Sequence, residues 1–300
     1  IKEGKIEGIE INGERKIMAE NVILATGHSA RDIYYLLDRK KIALEFKPFA
    51  MGVRIEHPQA MIDSIQYNTP ERGEFLPPSS YSLVCNTKER GVFSFCMCPG
   101  GIIAPCATNQ EEVVTNGWSP SKRNNPFANS GIVTEVKEKD VSDYSHAGAL
   151  KGLKFQEKVE RKCWEAGGKS QHVPAQRLLD FMQDRKSEDL PDTSYIPGIT
   201  SVEMKDVLPD FIIRNLRKAF IEFEKRMKGF LTNDAVLHAP ESRTSSPVRI
   251  PRNRETFEHI EIKGLYPCAE GAGYAGGIVS AAIDGQKCVE KILENNSLKH

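Results

Sequence analysis

The 300-residue chain predicts an α/β (α+β) fold in which the two ends build one sheet and a large mixed α+β segment is inserted between them. Three observations carry this expectation. Asn21–Ala25 (NVILA) is a continuous apolar run, too short for a helix, that stops at Thr26-Gly27, as a buried strand entering a turn does. Gly264–Glu290 (GLYPCAEGAGYAGGIVSAAIDGQKCVE) runs from a short apolar strand through a glycine-rich turn into a helix expected over about Ile278–Leu293. The long middle mixes strand and helix signals without an internal repeat or low-complexity tract.

The terminal segment organises the rest. Helix-start N–H groups without intrahelical acceptors, at the positive end of the macrodipole, attract anionic oxygens and electron-rich ring atoms. Gly271, Gly273, Gly276 and Gly277 lack the Cβ that would block such an approach. Gly271, Gly273 and Gly276 satisfy G-x-G-x-x-G literally, but a dinucleotide fold needs a second strand with an acidic residue about 20 residues on. Only 24 residues follow Gly276, and they are a helix and a polar tail. The segment therefore reads as the last strand, turn and helix of a larger sheet; close helix-on-strand packing through small residues is the plainer alternative.

Composition removes several function classes. With 41 basic and 41 acidic residues and 39% apolar content, the chain is expected to be globular and to present no global field for nucleic acid or an anionic membrane. No apolar run reaches the 18 or so residues of a membrane span, and the opening IKEGKIEGIEI lacks the parts of a signal peptide, so a cytoplasmic location is expected. Seven scattered cysteines suit a reducing compartment. Cys96 and Cys98 form a CxC, with Cys85 and Cys106 nearby; a metal or redox role and a role as small buried hydrophobes are both open, and no metal site is expected. The chain opens without Met inside a strand, as a piece of something longer would.

In chain order, Lys5–Ile11 alternates, Asn12-Gly13 supplies a hairpin turn, and Glu14–Met18 continues outward, so a small meander is expected. Ser29 is positioned to cap a helix through about Arg39. Met51–Ile55 reads as a strand leaving the first region, giving domains at 1–50 with 255–300, and at 51–254. Within the insert, strands are expected at Tyr81–Cys85, Val92–Met97, Ile102–Cys106 and Ile132–Val136, with Gly100-Gly101 turning the second into the third. Helices are expected at Pro58–Ile65, Leu150–Ala166, Pro174–Asp184 and Pro209–Gly229. The last carries Ile212, Leu216, Phe220, Phe223 and Met227 on one core-facing stripe.

Two loops are unusual. Asn116–Ser130 (NGWSPSKRNNPFANS) is too polar and Pro/Asn-rich for regular structure and is either a binding loop or a mobile one. Glu241–Arg254 (ESRTSSPVRIPRNR) packs four arginines and four hydroxyl residues immediately upstream of the glycine-rich end, a density suited to phosphate, carboxylate or ring-edge hydrogen bonds.

With these pieces in place, the chain resembles the FAD-dependent oxidoreductases of the glutathione-reductase type, most closely the NAD(FAD)-utilising dehydrogenases. The resemblance rests on NVILATG (Asn21–Gly27), CPGG (Cys98–Gly101), ANSG (Ala128–Gly131), ESRTSSPVRIPR (Glu241–Arg252) and YPCAEGAGYAGGIVSAAIDG (Tyr266–Gly285). It implies a partial FAD-binding domain of meander, ATG strand and C-terminal strand and helix, carrying an inserted domain. The sequence departs from the family pattern in having no G-x-G-x-x-G before residue 264, so a C-terminal fragment holding one wall of the FAD site is implied. On the same resemblance, Thr26 and Gly27 pass near the pyrophosphate or the adenosine side, Glu270 faces the ribityl or phosphate portion, and the backbone from Gly271 through Gly273, Tyr274, Gly276 and Gly277 to Ile278 meets the flavin. Arg243 and Thr244 contact the ring or a substrate anion. NAD(P)H is the implied electron donor and the substrate a small molecule; no acid, base or nucleophile stands out. A binding module in which flavin is structural or absent is the competing expectation.

Overall fold

Asn12 and Gly13 both adopt positive φ, 52° and 73°, in the tight turn of the three-residue connection (residues 12–14) that joins antiparallel strands Gly8–Ile11 and Arg15–Met18. The computed structural model describes residues 1–297. These divide into one compact unit formed by residues 1–49, 137–155 and 245–297, and a second formed by 50–136 and 156–244.

In the first unit the strand Val22–Leu24 pairs in parallel with Leu265–Pro267, Ile23 standing opposite Tyr266. Residues more than two hundred positions apart thus share one ladder. A second two-stranded ladder joins Glu45–Phe46 to Val248–Arg249. The helix Arg31–Arg39 starts two residues after Ser29, with Ala30 at the cap position and no side-chain cap bond there; its buried side chains include Tyr34 and Leu37. These join Ile6, Ile42, Leu150, Leu153, Val248, Ile250 and Leu265 in one apolar cluster. Each fully buried Leu or Ile contributes about 1.5–3 kcal/mol, so this cluster and not the short ladders holds the unit together. The helix Ile278–Ser297 completes it.

The second unit is a seven-stranded mixed sheet. Its order is Ile199–Ser201, Val173–Arg177, Val236–Glu241, Phe49–Pro58, Phe127–Val136, Gly91–Cys98 and Val84–Asn86. Phe49–Pro58 is buried along nearly its whole length, as a central strand covered on both faces should be. The helix Asp210–Arg226 packs on Phe127–Val136 and buries Ile212, Leu216, Phe220 and Phe223, as its periodicity requires.

Local expectations fail where tertiary pairing overrides them. Pro174 lies in the strand Val173–Arg177, and only Leu178–Met182 is helical. The parallel edge is bonded through Val173 N to Gly198 O and Val202 N to Ala175 O, so the N–H that Pro174 lacks is not needed there. Gly100-Gly101 does not form a hairpin: Ile102–Pro105 pairs with Thr115–Trp118, in a separate two-stranded sheet. Asn116–Ser130 therefore contributes to two strands, Thr115–Trp118 and Phe127–Val136. Among the described residues, no helix is long and apolar enough to cross a membrane.

Candidate functional site

The parallel pairing of Val22–Leu24 with Leu265–Pro267 decides where the two glycine turns go. Cys268 N donates to Leu24 O (3.0 Å), extending the ladder to the point where both strands end. Gly271 then lies so close to Gly27 that a Cβ on it would stand 2.6 Å from the Gly27 carbonyl oxygen. Thr26, exposed, and Gly27, with φ 75°, are thereby brought beside the Glu270–Gly271 segment. The turn is pinned from behind: Tyr34 Oη donates to Gly271 O (2.7 Å) and lies 2.9 Å from Ser246 Oγ, and Ile250 N donates to Ala272 O. Burial pushes the Tyr34 phenol up to about 12, so it remains a donor at any physiological pH.

Beyond Gly271 the turn opens. Gly273 has φ 83° and sits close against Lys47 and the Val248 carbonyl, a position that requires glycine. Gly276 differs: its backbone is ordinary and, among the described residues, a Cβ there would meet nothing within 4 Å. Gly276 and Gly277 are exposed, and the first helical bond is Ala281 N to Gly277 O, so the first-turn N–H groups have no intrahelical acceptor. Ser280 Oγ takes the Gly277 N–H (3.1 Å). Ile278 and Val279, 91% and 71% exposed, make this helix start apolar as well as N–H-rich, which suits a planar ring edged with acceptors.

Charged groups rim the turn. Glu270 faces His28, with Oε2 3.3 Å from Nδ1. The hydrogen bond to His28 holds the Glu270 carboxyl below the usual range against the opposing effect of burial, with Lys47 adding its charge. Lys47 is itself pushed down by burial and by its neighbour Arg249. A cleft of about 450 Å³ lies among Arg249, Arg252, Arg254, Phe257 and Tyr274. The Arg252 guanidinium is stacked between the Phe257 and Tyr274 rings, 4.0 Å from each centroid, and binds both Asp284 oxygens. Among the described residues, Arg249 Nε is buried without a hydrogen-bond partner, an orphaned donor at the wall of this cleft.

Arg243 and Thr244 belong to the second unit. Arg243 is held by Glu160, Glu112 and Thr108, and Thr244 Oγ1 donates to Ala50 O (2.8 Å). Sequence reasoning missed Tyr34 and Lys47. Tyr34 sits on the buried stripe of its helix, where a Tyr reads only as apolar bulk; Lys47 carries no local signal at all. One further group stands behind the turn: Cys268, Asp284 and Cys288 are buried with ligand-type atoms within 4.8 Å of one another. Asp284 already accepts from Arg252 and from Ala269 N (2.7 Å), so its carboxylate serves as the anchor of the turn.

An open, glycine-lined helix start beside two converging strand ends offers backbone N–H groups to an anionic ligand. The chain belongs to the family described as FAD-dependent protein, C-terminal domain-like, whose model matches residues 48–244. That range starts two residues before the second unit, ends where it ends, and also takes in residues 137–155 of the first. An uncharacterized protein of Clostridium beijerinckii is 42% identical over 301 residues, covering 99% of this chain and 56% of the relative. The chain thus spans little more than half the length of that relative.

Proposed function

We propose that this chain is the C-terminal part of an FAD-dependent oxidoreductase of the glutathione-reductase type and supplies one wall of its flavin site. The observation that carries this reading is the Val22–Leu24/Leu265–Pro267 ladder, which sets Gly271 against Gly27 and leaves Gly276 open beside a helix start. Bound FAD supplies the two-electron chemistry. The residues of the wall have distinct tasks. Thr26 and Gly27 offer a side-chain hydroxyl and uncluttered backbone to the pyrophosphate. Glu270, kept ionised by His28, accepts from sugar hydroxyls. Gly271 and Gly273 shape the turn, Tyr274 and the arginines of the adjoining cleft bound it, and Gly276, Gly277 and Ile278 present N–H groups where negative charge collects on a reduced ring. NAD(P)H is the donor we propose, with a small-molecule acceptor. Purification of the longer protein tests the reading: it should be yellow with bound FAD and bleach with NAD(P)H under anaerobic conditions. A colourless preparation that takes up no added FAD would overturn it.

A further inference from the structure

The sheet of the second unit carries a flaw in its regular alternation at Cys96. Opposite the two-residue step from Asn129 to Gly131, the strand Gly91–Cys98 takes three steps from Cys98 to Phe95, so it bears a bulge of one residue. Cys96 is the bulged residue, with φ 47°, a left-handed conformation that a cysteine adopts only under constraint. The bulge undoes the one-in, one-out order of the strand. Cys96 is exposed, whereas Cys98 is buried and its Sγ lies 3.3 Å from the Cys96 carbonyl oxygen.

Beneath them is Arg54, fully buried on the central strand. Its Nε binds Glu241 Oε2 (2.7 Å), and its Nη1 binds Asn129 Oδ1 (2.8 Å) and Cys96 O (3.3 Å). Its Nη2, also buried, has no partner among the described residues, and neither has Asn129 Nδ2. An arginine donor left unsatisfied at full burial is costly unless an anion takes it up. Gly117 roofs the group: a Cβ there would stand 2.1 Å from Arg54 Nη1. The CxC is therefore built into the framework and is not a pair of cysteines used as filler.

We propose that Cys96 and Cys98 are a redox-active dithiol, with Cys96 the attacking thiolate, Cys98 the resolving thiol, Arg54 the positioning cation and a low-molecular-weight disulfide the substrate class. The Cys96 thiolate attacks one sulfur of RS–SR; a Cys96–SR bond forms, the S–S bond breaks, and RS⁻ leaves and is protonated by solvent. Cys98 then attacks Cys96 Sγ, its proton passing to the second departing RS⁻. The protein dithiol becomes a disulfide and the substrate becomes two thiols, a balanced two-electron exchange. The groups facing the pair are Arg54, Glu241 and the buried Tyr81. Hydrogen bonding from Cys98 and the charge of Arg54 hold the Cys96 thiol down at about 6 against burial and Glu241, while Cys98 is pushed up by donating that bond. The site stands on residues 54–241 alone and does not rest on the flavin reading.

Alkylation with iodoacetamide and peptide mapping tests this on the whole chain. The rate at Cys96 should rise with a midpoint near pH 6, against about 8.5 for a free thiol. At pH 6.5 it should exceed that of a free thiol by about fivefold, the larger thiolate fraction being partly offset by lower nucleophilicity. Glutathione disulfide should give a Cys96–Cys98 disulfide in the native chain. Cys98→Ala should stop at a glutathione adduct on Cys96 and move the midpoint upward, and Cys96→Ala should leave Cys98 unreacted. A Cys96 midpoint between about 8 and 9, or no adduct in Cys98→Ala, would overturn the proposal.

Discussion

The two units treat polar groups in opposite ways. In the second, the adjacent strands Phe49–Pro58 and Val236–Glu241 bury Arg54, Glu56, His57, His238 and Glu241 almost completely, and each is tied into the framework. Glu56, for example, accepts from Ser194 N (3.0 Å) and Thr193 Oγ1 (2.7 Å). In the first, the sheets are two-stranded, the core is one apolar cluster, and Glu270, His28, Lys47 and Arg249 sit at the rim of an open glycine turn. A buried network fixes geometry and resists change; an open turn with unoccupied space leaves room for a ligand. The contrast predicts that stability responds mainly to changes in the second unit and cofactor retention to changes in the first.

The largest effect should come from acid. His57 and His238 are buried, and burial pulls both down to about 4 from their ordinary 6.5. The unfolded chain therefore binds protons that the folded one refuses, so the stability they contribute is complete above pH 6.5 and is lost as pH falls towards 4. The loss is on the order of 3 kcal/mol for each histidine. Hydrogen exchange between pH 7 and 4.5 should show the central strands of the second unit opening before the Tyr34 helix. If protection there were independent of pH, the buried-neutral assignment would be wrong.

Next in size is Arg54→Met, which strands the buried Glu241 carboxylate. A loss of about 3–5 kcal/mol in unfolding free energy, read by denaturant titration, is expected. The double variant Arg54→Met/Glu241→Leu should recover much of it, and no recovery would mean that the pair is not the source of the cost. Smaller still, Tyr34→Phe removes the donor to Gly271 O and should cost about 1 kcal/mol by thermal melting. Flavin should be bound more weakly as the turn loosens.

The parts of this arrangement legible in sequence were those with short-range chemistry. Asn12-Gly13 and the Ile212–Met227 stripe each state their structure within a few residues, and both formed; the NVILA run formed the strand Val22–Leu24, but not the buried one its apolar run implied, since Ile23 is exposed and its neighbours only half-buried. The pairing of Ile23 with Tyr266 was expected from the family resemblance, which implies that the two ends of the chain return to one sheet, and not from the local residues. Pro174 and the Asn116–Ser130 segment misled because their local preference for helix start or loop was overridden by sheet partners far along the chain. Tyr34, Lys47 and the bulge at Cys96 were invisible for the same reason: what defines them is a neighbour two hundred residues away, or a missing residue in the opposite strand.

Gly276→Val tests the central claim most directly, because among the described residues nothing lies within 4 Å of the added Cβ and Gly276, unlike Gly273, has no positive φ to forfeit. FAD content should be measured on the purified longer protein, with a thermal melt of the flavin-free form as control. The account predicts an unchanged melt and at least tenfold less bound FAD in the variant. Full FAD retention with the same melt would contradict it.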